Sequence, residues 1–154
     1  MSMELYIFSD RRLASMGAWQ QALDDGGFGL RLSLDRPIAE LHGALPVRFR
    51  DRPTTFECDH WNASDLMAEL SHIDFGRRWK CVLALRWSGA DFYAGISAYL
   101  AGSAYALATD GVVFDCEEGK IISPQRAAET AAELERSIPM IEAAARKAVE
   151  RFRK

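Results

Sequence analysis

At 154 residues and 17.2 kDa, with 49% hydrophobic and 27% charged residues, the chain has the size and balance of one globular domain, which excludes disordered and fibrous classes. Its 19 basic and 22 acidic side chains leave a formal charge of −3 and a pI near 5.6, so the net basic footprint of a nucleic-acid binder is missing. Cys58, Cys81 and Cys116 are odd in number and widely spaced, which suits neither a disulfide framework nor a CxxC site and fits a reducing cytoplasm.

Met3 to Phe8 reads as a strand with Glu4 as its one polar break, and the segment has no basic leader before it, so it is not read as a signal peptide. Ser9 and Asp10 are N-cap candidates for a helix to about Asp25, in which Leu13, Met16, Trp19, Gln20 and Leu23 make one buried stripe. Gly26-Gly27 ends it. Phe28, Leu30, Leu32 and Leu34 alternate with Gly29, Arg31 and Ser33, which predicts a half-buried strand and, with the preceding elements, a crossover unit.

A helical turn is expected from Asp35 to His42. Val47 and Phe49 alternate with Arg48 and Arg50, Asp51-Arg52-Pro53 turns the chain, and Thr54 to Trp61 returns, predicting an antiparallel hairpin. Asn62 or Ser64 caps a short helix carrying Leu66, Met67, Leu70 and Ile73. Trp79 to Trp87 is a central strand, and a helix follows from about Ala90 to Ala108. From Phe92 to Thr109 it has no charged side chain, yet its serines, glycines and spread tyrosines make it a buried helix and not a membrane span. Its apolar surface is either wholly internal or partly a contact between two copies. Short strands at Val112–Phe114 and Lys120–Ile122 flank a turn at Glu118-Gly119. Ser123-Pro124 starts a helix ending near Arg136, and Pro139 opens a last one with Ile141, Ala145, Ala148 and Phe152 on one face.

Two sets of residues carry candidate chemistry. Arg48, Arg50 and Arg52 form a basic stripe beside Phe49, Phe56 and Trp61, and arginine with aromatics is the composition of protein-interface hot spots. The same arginines could simply protect a sheet edge. Asp115, Glu117 and Glu118, with Asp10 as a further carboxylate, could do acid–base work or hold a divalent cation, or could be the polar tip of a turn. Cys58 and His60 share a strand face but lack a second pair at zinc-ligand spacing.

The run Gly111-Val-Val-Phe-Asp-Cys-Glu-Glu-Gly-Lys, after a small-residue helix and before Ser-Pro-Gln-Arg-Ala, resembles a segment of uncharacterised bacterial domains that reads Gly-Val-Val-Tyr-Asp-Pro-Gln-Glu-Gly. Some such domains are immunity proteins that neutralise toxins. The likeness covers about 30 residues, departs at Cys116 and Glu117, and carries no catalytic residue across. It implies a small cytoplasmic bacterial protein.

The expectation is a single α+β domain over 1–154, with a mixed sheet of about five or six strands and helices mainly on one face. Its function is expected to be non-enzymatic protein binding, immunity-like in one form, through Arg48, Arg50, Phe56 and Trp61. No cofactor, metal, nucleic acid or membrane is expected, and a homodimer is open. The alternative is a small-ligand binder or divalent-cation-dependent enzyme using Asp115, Glu117 and Glu118.

Overall fold

A computed structural model describes residues 1–153. In chain order the elements are β1 (Ser2–Ser9), α1 (Met16–Asp25), β2 (Leu30–Leu32), a 3-10 turn (Ile38–Glu40), β3 (His42–Phe49), β4 (Arg52–Asn62), α2 (Ala63–Glu69), β5 (Cys81–Ser88), α3 (Phe92–Thr109), β6 (Val112–Asp115), β7 (Lys120–Ile122) and α4 (Pro124–Arg153). The strands make one sheet in the order β2-β3-β4-β5-β1-β6-β7, and every pairing is antiparallel. The α+β class is the one expected, with seven strands in place of five or six. β1 and β2 run in the same direction, as a crossover implies, but β5, β4 and β3 stand between them.

Two apolar layers hold the sheet. On one face Leu5 and Ile7 of β1, Phe56 and Cys58 of β4, and Leu83 and Leu85 of β5 pack beneath α1, α3 and α4. On the other, Tyr6, Phe8, Val82 and Phe114 meet α2 and the loop bearing Phe75 and Trp79. β1 therefore buries both its faces, which is why its sequence barely alternates.

α3 lies close against the sheet because it presents glycine there: a Cβ on Gly102 would stand 2.8 Å from the Leu5 side chain. Its outer side is covered as well, since Trp19 Nε1 donates to Ala101 O (2.9 Å) and Ser103 Oγ to Pro124 O (2.6 Å). Every residue from Ala94 to Ala106 is buried, so this stretch of the helix is internal to the chain, while Phe92 and Leu107 at its ends are exposed. Among the described residues, no helix is long and apolar enough to cross a membrane.

Three boundaries differ from the sequence reading. Helix α1 starts at Met16 with Ser15 as its cap, its hydroxyl accepting from Ala18 N at 3.0 Å. Ser9 instead donates to Arg11 O, and Asp10 pairs with Arg77. The β3–β4 turn is Arg50-Asp51, both at positive φ (46° and 69°), so Arg52 already belongs to β4. Finally, α4 runs unbroken for 30 residues through Pro139. One missing N–H at Pro139 is outweighed by the good helix formers around it, and Ser137 Oγ donates back to Leu134 O (2.8 Å) without capping a new helix.

Candidate functional site

The expected hairpin site is divided by the pleat. Phe56 is 1% exposed, within the core beneath the helices, and cannot meet a partner. Arg50 leans to that same side, ion-paired to Glu135 at 3.2 Å and over the Phe49 ring at 5.1 Å, so it ties the hairpin to α4. Arg52 lies 3.9 Å from the Tyr93 ring centroid. Arg48 and Trp61 occupy the opposite face. Arg48 donates to Asp51 O (2.9 Å), and Trp61 packs at 5.3 Å, tilted, against Tyr6. Eight residues of strand separate these two, about 26 Å at the usual rise. The four residues therefore do not form one site, because consecutive strand residues point to opposite faces.

Trp61 does border a surface groove of about 480 Å³, with His60, Asn62, Asp65, Leu66 and Glu69. His60 Nε2 donates to Ile38 O (2.8 Å) while its buried Nδ1 has no partner, and burial pushes the imidazole pKa down. Cys58 is fully buried and burial pushes its thiol well up, so it is a packed apolar group and not a nucleophile.

The acidic turn is better ordered. Asp115 ends β6 and is 1% exposed. Its Oδ2 accepts from Tyr99 Oη at 2.9 Å, and its Oδ1 from the backbone N–H of Glu117 (2.9 Å) and Glu118 (3.4 Å). Its carbonyl accepts from Gly119 N (2.8 Å), with Gly119 at φ +67°, where a side chain would be strained. Asp115 thus anchors the turn. Glu118 pairs with Lys120 (3.4 Å) and Arg126 (3.9 Å). Asp10 is not part of this group: it lies just beyond the far end of β1, five residues along the chain from Leu5, the residue that pairs with Asp115. Among the described residues, no three His, Cys, Asp or Glu side chains are placed to hold a metal ion.

A cavity of about 200 Å³ opens beside this turn, between the start of α3 and the middle of α4. Trp87 and Tyr99 wall it as an edge-to-face pair, centroids 5.6 Å apart and planes at 68°. Burial, then the neighbouring Asp115, raises the Tyr99 pKa, so its hydroxyl stays protonated. The aromatic wall escaped the sequence reading because Trp87 and Tyr99 belong to separate elements, each read only as core.

In α4, Ala127, Ala131, Leu134 and Ile138 alternate by four and three residues and face the core. Ile141, Ala145, Ala148 and Phe152 continue the same spacing and are exposed, Ile141 to 36%. Met140 is 75% exposed, Val149 50% and Phe152 93%. The signal was present in that spacing.

The chain matches no protein family, no curated protein and no solved structure.

Proposed function

We propose that the protein is a non-enzymatic protein-binding domain and that the distal half of α4 is its binding arm. The observation that supports this is the apolar seam that leaves the body uncovered. Residues 140–153 form about four helical turns, a length that is marginal as an isolated helix in water. An amphipathic helix presenting anchors at i, i+4, i+7 and i+11 is suited to an apolar groove on another protein. Between Pro139 and Arg153 the arm carries Arg146, Lys147, Arg151 and Arg153 against Glu142 and Glu150, so the groove it fits has an acidic rim. An immunity-like role, as the resemblance of the Gly111 segment implies, is one form of this reading, with the toxin supplying the groove.

The test pairs capture from a source lysate with light scattering, using wild type and the double variant Ile141→Glu/Phe152→Glu. Phe152 is 93% and Ile141 36% exposed, and a thermal melt of the double variant checks that the body folds as in wild type. Supporting results are one near-stoichiometric protein retained by wild type and by Arg48→Ala but lost with the double variant, or a mass twice 17.2 kDa that the double variant halves. Retention indifferent to the double variant refutes the arm, and binding of wild type to anionic phospholipid vesicles with no protein retained assigns it to a membrane surface instead.

A further inference from the structure

The arm and the cavity beside the β6–β7 turn are separate features, and the cavity supports an inference of its own. We propose that this cavity is a binding site for a small organic cation, a quaternary or alkylated ammonium group.

Its shape sets the first limit. At about 200 Å³ it falls below the roughly 300–1,000 Å³ of pockets that enclose drug-sized ligands, and it accepts a head group. Its walls set the second. Trp87 and Tyr99 stand near a right angle, Phe92 is partly exposed at the rim, and Met3 and Leu134 add apolar surface. Aromatic side chains that line a small cavity beside carboxylates are surroundings in which a weakly hydrated cation gains from the negative faces of the rings. A strongly hydrated inorganic ion gains nothing there, since apolar walls cannot replace its water.

Charge sets the third. None of the lining residues is basic, and Asp91, Asp115 and Glu117 have no cationic partner among the described residues. Lys120 and Arg126 are committed to Glu118. The carboxylates are also poorly free to ligate a hard metal. Both oxygens of Asp115 already accept from Tyr99, Glu117 and Glu118, and those of Asp91 accept from Ala94 N (3.0 Å) and Thr54 Oγ1 (3.1 Å). Of the lining carboxylates only Glu117 has no side-chain hydrogen bond or ion pair among the described residues, and one carboxylate does not make a divalent-cation site. That combination selects a diffuse positive charge over a divalent ion.

The experiment titrates wild-type protein with choline chloride while following tryptophan fluorescence, with sodium chloride held at matched ionic strength. A parallel titration uses 3,3-dimethylbutan-1-ol, the uncharged carbon analogue of choline. We expect saturable quenching by choline, at least about tenfold weaker for the neutral analogue. Phe92→Ala and Glu117→Gln, both at exposed positions, should each weaken choline binding severalfold without moving the melting temperature, while Glu69→Gln at the distant groove should leave it unchanged. No saturable response to choline, an equal response to the neutral analogue, or full binding by the Phe92→Ala/Glu117→Gln double variant would overturn the proposal. Because α4 beyond Ile138 contributes nothing to the cavity, Ile141→Glu/Phe152→Glu must leave choline binding intact, so this site and the arm fail separately.

Discussion

Tyr99→Phe separates a structural Asp115 from a chemical one. The substitution keeps the ring against Trp87 and removes only the hydroxyl that donates to Asp115 Oδ2 at 2.9 Å. Asp115 is 1% exposed, so its carboxylate depends mainly on the protein for its hydrogen bonds. Leaving a buried acceptor unsatisfied costs about 1–3 kcal/mol, and the donor is lost to a carboxylate, which places the expectation near 2 kcal/mol. For a chain of this length that corresponds to a fall in melting temperature of roughly 4–8 °C. Asp115→Asn keeps an oxygen for the turn amides of Glu117 and Glu118 and should cost less than Asp115→Ala, which strands both. The cycle through Tyr99→Phe and Asp115→Ala should show a coupling of about 0.5–3 kcal/mol, because the two groups share one bond. Urea and thermal melts by circular dichroism measure all of these. A Tyr99→Phe protein within about 0.5 kcal/mol of wild type, or a cycle with no coupling, would refute the turn-anchor role.

Two further outcomes follow from the packing and the titrating groups. A Cβ on Gly111 would stand 2.3 Å from the carbonyl oxygen of Phe8 in the central strand, and backbone cannot step aside as a side-chain tip can, so Gly111→Ala should cost about 3 kcal/mol or more; a melt within 1 kcal/mol of wild type would sink that account, and Gly89→Ala, 3.4 Å from its nearest atom, is the mild comparison. His60 has its pKa lowered, first by burial, so the unfolded chain takes up its proton near pH 6.5 while the folded chain does not; stability is therefore present above about pH 6.5 and is lost as pH falls below it. His60→Gln should flatten that acid limb of a urea-midpoint profile between about pH 7 and 5, and an unchanged limb would assign it to other groups.

The elements were legible in the sequence where their neighbours were local. Leu13 to Leu23 and the uncharged stretch after Asp91 read as helices because one face or the whole surface is apolar, and α1 and α3 are there. Strand partners were not legible. Nothing in Met3–Phe8 says that β5 and β6 flank it, since both pairings join residues distant in sequence. The β3–β4 turn was misplaced by one or two residues for a local reason: Arg50-Asp51 adopts positive φ without glycine, whereas Arg52-Pro53 looks like the usual turn chemistry. That shift is what moved Arg50 to the helix side. Trp61 and Phe56 lie on opposite faces of β4, but which face the helices cover is a tertiary fact, and it decides that Phe56 is core. Pro139 misled in the other direction, since proline disfavours helix interiors yet removes only one bond when both flanks are strong helix formers.

Net charge averages over surfaces that do not touch. The last sixteen residues carry five basic and two acidic side chains, so a chain of formal charge −3 consists of a basic end and a body more acidic than the total. Electrostatic steering and partner choice act within a screening length of about 10 Å in ordinary salt, far less than the roughly 45 Å length of α4. A partner at the distal end of that helix meets the arginines and lysine of the arm, and a ligand beside the β6–β7 turn meets Asp91, Asp115 and Glu117. Each encounter is governed by its own few charges.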